Sequence, residues 1–567
     1  MTASLLIRGG VVVDPVDGER RADVEVRDGR VVRVEPDLRL TDTPAGARVL
    51  DAAGRLVLPG SVDTHSHADA RVLDDDVQLA LLRQGVTSVV VGQDGVSFAP
   101  GDGRYATAYF GALNGTHPTY AGGGVADLLR GYDGTTRVNV GYLVPAGTVR
   151  HEVMGSDPGR PTTEQLAAMV AAVRTGLAEG ALGLSSGLDY VPGSFADAAE
   201  LAALCAPVAE AGAVYVTHMR GYEESSPRGF AEVSEICARS GVAAHVSHFH
   251  ARAGLVHELL AGAAARDLDV TFDAYPYARG FTILSMLLLP PALLAGGADA
   301  VAATLRDPVG RDRVRARLVR DPRDDDHGAP GWPERLVVAS AGSADFAWTE
   351  GRTLAAAADA SGRDPLDLAL AMLGASGLQV TVVTDLPRTR TDAELADVLR
   401  HPAAMCGSDG IYLGAHPHPR AWGAAARLLA VFVRERGDLD WPGAVRLLAE
   451  RPARRFGLGG RGRVAPGAVA DLALVDASAV TDHADYDSPT ALASGIDDVV
   501  VRGVPVLAGG RLTPALAGRV LRRAPAPVAT DSHRADPTDR TDPTDRTDRT
   551  DRTERTQRTQ RTDRGAP

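Results

Sequence analysis

Short strand-like segments that end in polar residues recur through the middle of this 567-residue chain. They are SVDTHSHAD, TSVVVGQDG, RVNVGYLVPAG, GALGLSSGLDY, AVYVTHMRG, AAHVSHFHA, DVTFDAYPY and AAMCGSDG, with LQVTVVTD as a ninth candidate. Most are separated by helical patterns, such as the one after Thr162, where apolar residues recur every three or four positions. Strand and helix units in this number predict an α/β fold, a (β/α)8 barrel whose functional residues lie at the carboxyl ends of the strands.

Both ends of the chain carry a different pattern, in which apolar and polar residues alternate between Asp-Gly and Gly-Gly turns. This alternation is typical of short antiparallel strands. It runs through residues 1–57 and returns in residues 458–522. We therefore predict that the two flanks build one small β-sandwich beside a barrel formed by residues 58–457.

Two segments depart from these patterns. Residues 281–345 contain LLLPPALLAGG followed by a stretch of mixed charge, which fits either a solvated helical surface or an insertion over the mouth of the barrel. Residues 523–567 consist largely of TDR, TDP and TQR triplets. Such a segment has too few apolar side chains to offset the entropy of ordering, so we predict a disordered tail.

The chain contains no lysine, so all 60 residues of the Lys and Arg class are arginine. This excludes a Schiff base, a P-loop phosphate site and a metal site bridged by a carboxylated lysine, because the guanidinium cannot replace an amine in them. Any bridging ligand or anchor for an anion must therefore come from other residue types.

Bulk composition narrows the expected partners and compartment. The net charge is -13 and no basic cluster is interleaved with aromatic residues, which argues against nucleic acid as a partner. The three cysteines, Cys205, Cys237 and Cys406, are far apart and odd in number, which indicates a reducing compartment rather than a disulfide framework. No apolar run resembles a signal peptide or a membrane helix, so we expect a cytoplasmic protein that does not contact a membrane.

Histidines at the predicted strand ends are the strongest chemical signal. His65 and His67 close SVDTHSHAD, and alternate residues of a strand project to the same face, so both imidazoles can reach one cation. His218 and His248 each follow another strand-like run. Asp409 follows AAMCGS, where a carboxylate can bind metal or accept a proton. A single such histidine can be a packed core residue, but four at strand ends favour a metal site.

These motifs resemble those of the amidohydrolase superfamily, and in particular the D-aminoacylase (N-acyl-D-amino-acid deacylase) family. The resemblance extends from residue 4 to about residue 510. It rests on LPGSVDTHSHAD, VVVGQDGVS, SSGLDYVPG, THMRG, VSHFH, DAYPY, GSDG, HPHPR and GRVAPGAVADLALVD, which occur in the family's order.

The resemblance implies a zinc-dependent hydrolase. One tight zinc site would be formed by a ligand after the second strand together with His218 and His248. His65 and His67 would line a second, weaker site, and Asp409 would act as the general base. The resemblance also implies that residues 281–345 are an insertion able to cover the active site.

One departure from the family affects the metal. Where well-known D-aminoacylases carry a metal-binding cysteine, this chain has Asp94, in GQDG. A carboxylate is a competent zinc ligand and is harder than a thiolate, which favours tolerance for manganese or cobalt. Asp94 is also the natural candidate for a bridge between two metals, since no lysine exists to provide one. A turn residue before Gly95 is the alternative role.

A second departure affects the substrate. Where the family often has a lysine that holds the substrate's carboxylate, this chain has His250. We therefore assign the carboxylate to Arg420, whose planar guanidinium suits a bidentate contact, with Arg220 as a further candidate or a structural salt bridge. The remaining substrate contacts are assigned to tyrosines: Tyr277 as the donor to the scissile carbonyl, with Tyr275 and Tyr190 lining the pocket.

The resulting hypothesis is hydrolysis of a small molecule, an N-acyl-D-amino acid, to a carboxylate and a free D-amino acid. Zinc would be held by Asp94, His218 and His248. One alternative is hydrolysis of another C–N bond, in an isoaspartyl dipeptide, a cyclic amide or an aminated heterocycle. The other is a binding protein that has kept the fold without catalysis.

Overall fold

Eight parallel strands form a barrel in the computed structural model, which describes residues 4–39, 47–321, 330–385 and 390–524. The β-strands of the chain are β1 (Ser4–Asp14), β2 (Gly18–Arg27), β3 (Arg30–Glu35), β4 (Arg48–Asp51), β5 (Leu56–Pro59), β6 (Ser61–Asp63), β7 (Val86–Val91), β8 (Asn139–Pro145), β9 (Gly183–Gly187), β10 (Val214–His218), β11 (Ala243–Val246), β12 (Val270–Ala274), β13 (Gly280–Ile283), β14 (Leu336–Ser340), β15 (Thr381–Thr384), β16 (Ala404–Cys406), β17 (Leu472–Val475), β18 (Ile496–Val501), β19 (Val504–Ala508) and β20 (Arg511–Leu512). The strands of the barrel are β6, β7, β8, β9, β10, β11, β12 and β16.

Helices follow most strands of the barrel and cover its outer face. The α-helices are Asp75–Arg83, Arg104–Asn114, Val125–Tyr132, Ala146–Met154, Thr163–Ala178, Ala198–Glu210, Ser226–Ser240, Ala253–Ala264, Leu284–Leu288, Pro291–Leu294, Ala298–Arg306, Pro308–Arg320, Leu354–Ser361, Pro365–Ser376, Asp392–Leu399, Arg420–Arg427, Trp441–Val445 and Arg451–Arg455. Two π-helical stretches adjoin the last three of these: Leu428–Glu435 continues Arg420–Arg427, and Arg446–Glu450 joins Trp441–Val445 to Arg451–Arg455. Short 3-10 turns are Arg71–Leu73, Gly193–Phe195, Glu223–Ser225 and Ala344–Thr349.

The helix predicted after Thr162 illustrates how local sequence sets an element. The Thr162 hydroxyl accepts a hydrogen bond from the Gln165 N–H, and the Gln165 side chain accepts from the Thr162 N–H, which forms a capping box. Met169 and Val173 of this helix are buried against the barrel. Among the described residues, no helix combines the length and apolar character needed to span a membrane.

The barrel closes where its first and last strands meet. Neighbouring strands pair in parallel around the ring, from β6 through β12 to β16. β16 and β6 are joined just beyond their ends, where the Asp409 N–H donates to the His65 carbonyl at 2.8 Å and the His67 N–H donates to the Gly410 carbonyl at 2.9 Å. Three of the residues predicted to carry chemistry, His65, His67 and Asp409, therefore lie at the seam of the barrel.

Strands from both ends of the chain join one nine-stranded sheet. β1 pairs with β2 on one side and with β5 on the other, and β5 pairs with β17 from the C-terminal flank. A buried cluster of valines and leucines from both flanks packs on this sheet. The predicted fold class, a (β/α)8 barrel with additional β structure, is confirmed, and the two flanks that were predicted to form a small β-sandwich contribute strands to one sheet. The predicted tail lies almost wholly outside the described residues.

An ion pair between the buried Asp14 and the partly exposed Arg463 connects the two flanks. The Asp14 carboxylate accepts hydrogen bonds from the N–H groups of Val16, Asp17 and Val464, and from the Arg463 guanidinium at 2.8 Å. Burial alone would raise the pKa of Asp14, but these donors and the charge of Arg463 outweigh it and lower the pKa below 3.8. The ionised form is therefore the one that stabilises the junction.

We expect the Asp14→Ala variant to lose about 2–3 kcal/mol of unfolding free energy at neutral pH, because it leaves buried donors unpaired. Since the folded pKa is lowered, this contribution is fully present above pH 3.8 and is lost as the pH falls below that value. Urea unfolding midpoints across this pH range measure the effect. Asp17→Ala, which removes an exposed partner of the same arginine, serves as the control and should cost far less. A loss that does not change with pH would contradict the role of the charge.

The ninth candidate strand lies outside the barrel. β15, from LQVTVVTD, pairs antiparallel with β13 and β14 in a separate three-stranded sheet. β13, β14 and four helices within residues 284–320 make up most of the predicted segment 281–345, whereas β15 lies beyond it in the sequence. Several side chains of this segment line a cavity at the mouth of the barrel, which favours an insertion over the barrel mouth rather than a solvated helical surface.

Candidate active site

Four histidines and two aspartates converge at the carboxyl ends of the barrel strands. They are His65, His67, Asp94, His218, His248 and Asp409, all of them buried. His65 and His67 follow β6 together, Asp94, His248 and Asp409 follow three other strands, and His218 is the last residue of β10. The structure therefore brings together the six residues that the sequence nominated for metal binding and proton transfer.

Asp94 lies at the centre of this cluster. One of its carboxylate oxygens is 3.6 Å from His67 Nε2 and 3.6 Å from His218 Nδ1, and the other is 3.6 Å from His65 Nε2. His248 Nε2 lies 3.9 Å from the same carboxylate. A turn holds the carboxylate there, since Asp94 follows Gly92 and precedes Gly95, two residues with positive φ where any side chain would strike backbone atoms.

Three residues of the cluster have left-handed backbone conformations. The φ angles are +55° at Asp94, +33° at His248 and +48° at Asp409. Non-glycine residues adopt positive φ at a cost, and they persist only where surrounding structure holds them. The backbone strain at these three positions points to a site whose side chains must face inward.

Asp409 faces the histidine pair with one oxygen and an arginine with the other. Its Oδ1 is 3.5 Å from His67 Nε2 and 3.7 Å from His65 Nε2. Its Oδ2 is 2.6 Å from Arg420 Nη2, and Arg420 Nε donates to the Asp409 backbone carbonyl at 2.7 Å. Burial would raise the pKa of Asp409, but the charge of Arg420 and the neighbouring histidines hold it well below its usual range.

The carboxylates of the cluster raise the pKa values of two of its imidazoles. Burial lowers the pKa of His67, yet the Asp409 and Asp94 carboxylates outweigh it and raise the pKa to about 10. The pKa of His218 is likewise raised to about 10 by Asp189, whose Oδ2 is 3.2 Å from His218 Nε2, and by Asp94. Such a cluster of carboxylates stabilises positive charge at its centre.

The donor atoms fit a metal ion. Nε2 of His65 and Oδ1 of Asp94 are buried without a hydrogen-bond partner, which is costly for polar atoms unless a cation accepts their lone pairs. Two groups, His65 with His67 and Asp409, and His65 with Asp94 and His248, hold ligand atoms within 4.8 Å of one another. Imidazole and carboxylate donors are ligands of zinc and of other transition metals.

Two residues that orient the histidines were not singled out from the sequence. Asp273 accepts from the His248 N–H at 2.8 Å, its Oδ2 lies 3.6 Å from His65 Nδ1, and His245 Nε2 is 2.9 Å from it. Asn114 Oδ1 is 3.0 Å from His67 Nδ1. Asp273 opens the quoted DAYPY motif, so its position was visible in the sequence, whereas Asn114 belongs to a helix with no comparable signal.

A cavity of about 250 Å³ opens onto the cluster. Eight residues nominated from the sequence line it: His67, Asp94, Tyr190, His218, His248, His250, Tyr275 and Asp409. The rest of the wall comes largely from the inserted segment, including Phe281, Met286, Trp332 and Arg335. The wall thus combines a polar, metal-binding end with an apolar region.

Three other nominated residues contact protein groups instead. Arg420 is 1% exposed, its Nη2 lies 2.6 Å from Asp409 Oδ2, and its guanidinium is 4.4 Å from the centroid of the Tyr275 ring. Arg220 pairs with Glu232 and donates to backbone carbonyls, which is the structural salt bridge weighed for it. The Tyr277 hydroxyl donates to Asp482 at 2.5 Å and is directed away from the cluster.

Arginines that sequence analysis did not nominate lie on or just behind the wall. Arg335 precedes β14 and lines the cavity. Arg390, 6% exposed, contacts His250 from behind, with its Nη2 2.6 Å from His250 Nδ1. Neither residue belongs to a periodic pattern or a quoted motif, so no sequence signal distinguished them from the other arginines.

A parallel (β/α)8 barrel with histidines and aspartates gathered at its strand ends defines a metal-dependent hydrolase of the barrel class. Comparison with known proteins assigns the family: the chain belongs to the Amidohydrolase family, whose sequence profile matches residues 48–507.

Relatives of known activity cover nearly the whole chain. N-acyl-D-glutamate deacylase of Alcaligenes xylosoxydans xylosoxydans is 33% identical over 533 residues, which is 92% of this chain and 96% of the relative. D-aminoacylase of the same organism is 30% identical, over 92% of this chain and 98% of the relative. The zinc and phosphonate complex of N-acyl-D-glutamate deacylase from Bordetella bronchiseptica has a TM-score of 0.75, at 29% identity, and covers 92% of this chain and 100% of that one.

Proposed function

We propose that this protein is a zinc-dependent N-acyl-D-amino-acid deacylase, which hydrolyses the amide bond to give a carboxylate and a free D-amino acid. The observation that carries the proposal is the cluster of four histidines and two aspartates onto which the cavity opens, with one aspartate, Asp409, paired with a buried arginine. The family, and the named activities of relatives that match over nine tenths of the chain, support the same substrate class.

Five residues of the cluster would bind the metal ions that the reaction requires. Asp94, His218 and His248 would hold the zinc ion tightly, and His65 and His67 would line a second, weaker site. When bound, zinc polarises the amide carbonyl and makes water acidic enough to react near neutral pH.

Asp409 supplies the proton transfers. The Arg420 guanidinium keeps the carboxylate ionised through Oδ2, which leaves Oδ1 directed at the histidine pair and able to accept a proton from water. The same oxygen then delivers this proton to the amide nitrogen, because an amine leaves only when it is protonated. Arg420 thereby supports Asp409 in its role as the general base.

Tyrosine hydroxyls in the cavity contribute hydrogen bonds to the substrate. Tyr190 lies beside the cluster, with its ring centroid 5.0 Å from that of His218. Burial keeps the pKa of Tyr190 well above its usual value, so the hydroxyl stays protonated and can donate. Because Tyr277 bonds to Asp482, Tyr190 replaces it as the donor to the carbonyl oxygen.

The proposal predicts that the zinc-reconstituted protein releases free amine from N-acetyl-D-amino acids and not from their L enantiomers. The measurement is amine release across neutral and acidic substrates of both configurations, with protein treated with a chelator as the metal-free control. Turnover of L substrates alone would overturn the D assignment. Release of ammonia, or no release of amine from any substrate, would overturn the deacylase assignment.

A further inference from the structure

The loop of residues 188–196 follows β9 and carries Tyr190 to the wall of the cavity. Tyr190 is the residue to which we assign the hydrogen bond to the carbonyl oxygen. Within this loop the structure shows one regular element, the short 3-10 turn Gly193–Phe195. The position of Tyr190 therefore depends on contacts that other parts of the protein make with the loop.

Arg220, which lies just after β10, bonds to both ends of this loop. Its Nη1 donates to the Leu188 carbonyl at 3.0 Å and to the Ser194 carbonyl at 2.6 Å, and its Nη2 donates to the Ala196 carbonyl. A guanidinium presents five N–H donors in a rigid planar arrangement, so it can hold several carbonyl groups in fixed relative positions. The carbonyl groups that Arg220 holds lie on either side of Tyr190 in the sequence.

Other contacts hold Arg220 and the middle of the loop. Arg220 Nε donates to Glu232 at 3.0 Å, which is the salt bridge described above. The Tyr105 hydroxyl donates to the Val191 carbonyl at 2.6 Å, and the Tyr109 hydroxyl accepts from the Val191 N–H at 3.0 Å. Arg220 thus holds the two ends of the loop, and the two tyrosines hold its middle.

Tyr190 packs closely against the turn that carries Asp94. A Cβ atom added at Gly187 would lie 2.2 Å from the Asp94 carbonyl oxygen and 2.6 Å from Tyr190 Cδ2. The Tyr190 ring is also edge-on to Phe110, with the centroids 4.8 Å apart. A donor must be placed accurately to stabilise a developing negative charge, and a displacement of about 1 Å can cost about 100-fold in rate. The contacts that fix the loop therefore affect the reaction directly.

We propose that Arg220 is a positioning residue for the deacylase reaction: by holding the carbonyl groups on both sides of Tyr190, it places the Tyr190 hydroxyl to stabilise the oxygen that becomes negative when water adds to the amide carbonyl. This inference rests on the proposed function and goes beyond the salt bridge with Glu232. Arg220 is not among the described residues that line the cavity, so it acts through Tyr190 and does not touch the substrate.

The first test is the kinetics of Arg220→Met in the zinc-reconstituted protein. We expect kcat for the best N-acetyl-D-amino acid to fall about 10- to 100-fold and KM to stay within about twofold. The reason is that the displaced hydroxyl stabilises the transition state less, while the contacts that bind the substrate in its ground state are retained.

Two inhibitors separate the positioning of Tyr190 from a loss of folded protein. The N-methylphosphonyl derivative of the same D-amino acid presents anionic oxygens in a tetrahedral arrangement, and its inhibition constant should rise about 10- to 100-fold in Arg220→Met. The free D-amino acid lacks these oxygens, so its inhibition constant should stay within about twofold. A variant that is only less stable contains fewer active molecules, and those molecules bind both inhibitors as the wild type does.

A double-mutant cycle identifies the residue through which Arg220 acts. Tyr190→Phe should reproduce the fall in kcat and the weaker binding of the phosphonate. In the Tyr190→Phe background, Arg220→Met should lower kcat by less than about threefold more, because both changes remove the same interaction. Additive losses would mean that the loop acts through another residue, such as Asp189, whose Oδ2 is 3.2 Å from His218 Nε2. They would overturn the inference.

Three further variants serve as controls. Glu232→Gln removes the charge of the partner but keeps an oxygen for Arg220 Nε, and should lower kcat less than about threefold. Arg137→Met removes another buried guanidinium, which bonds Asp75 and the Thr513 carbonyl before β8, and should leave both inhibition constants unchanged. If Arg220→Met does not fold, Arg220→Lys replaces it. Its single ammonium group cannot hold all three carbonyl groups, which predicts the same pattern with a smaller loss.

Two other outcomes would overturn the inference. One is an equal change in the inhibition constants of the phosphonate and the free D-amino acid, and the other is a loss in Glu232→Gln as large as that in Arg220→Met, which would assign Arg220 to the salt bridge alone. These outcomes are distinct from failure of the proposed function, in which the wild-type protein releases no amine from any N-acetyl-D-amino acid.

Discussion

Asp409→Asn is expected to lower kcat/KM about 10³-fold while the tight metal site stays loaded. The amide cannot accept the proton that Oδ1 would take from water, and it cannot return one to the leaving nitrogen. The variant also replaces the charge partner of Arg420, whose Nη2 is 2.6 Å from the carboxylate. Steady-state kinetics on the best N-acyl-D-amino acid, with metal content per chain measured on the same sample, test the prediction.

A matched control separates the proton transfer from the loss of a buried ion pair. Asp471 is also a buried aspartate paired with an arginine, Arg461, at 2.8 Å, but it lies in the flank domain. Asp471→Asn should reduce stability and leave kcat/KM close to the wild-type value. Full turnover by Asp409→Asn would contradict the assignment of the general base, and loss of the metal along with activity would assign Asp409 to ligation instead.

Asp94→Ala is expected to weaken metal binding by at least about 100-fold, because even residues one shell further out cost 10- to 100-fold when they are lost. No other carboxylate in the described structure approaches the imidazoles of both histidine pairs, with distances of 3.6 Å to His67 and His218. Its removal leaves four buried imidazoles without the negative charge at their centre. Competition with a chromogenic chelator measures the dissociation constant, and activity should fall in parallel.

Asp94→Cys is the informative companion to this variant. A thiolate is a strong zinc ligand, so we expect zinc binding to be retained. It is also softer than a carboxylate, so activation by manganese should decline. Unchanged zinc affinity in Asp94→Ala would show that the histidines alone hold the metal and would restrict Asp94 to a role in the turn.

The metal cluster could be predicted from the sequence because the barrel fold itself brings the ends of its strands, and the residues on them, close together. Each histidine was recognisable at the end of a strand-like run, and parallel strands bring their carboxyl ends to one rim. The ninth strand could not be placed in the same way. Its pairing with β13 and β14 depends on contacts between distant segments, which its own alternating pattern does not specify.

The substrate contacts were harder to predict because they depend on side-chain direction outside regular structure. Tyr275 and Tyr277 follow the last residue of β12, so strand alternation no longer determines where they point, and their hydroxyls reach His250 and Asp482 respectively. Arg420 begins a helix that directs its guanidinium back to Asp409. Sequence spacing alone cannot distinguish an arginine that binds substrate from one that binds the catalytic carboxylate.

The seam of the barrel has a consequence for the newly made chain. The Ser408 N–H donates to the Asp63 carboxylate across 345 positions of sequence, and the neighbouring Asp409 N–H donates to the His65 carbonyl. The general base therefore meets its histidines only when the last strand has been synthesised and has docked against the first. A chain still on the ribosome has no assembled catalytic centre, however well its first seven barrel strands are folded. The catalytic centre forms in the same step that closes the barrel.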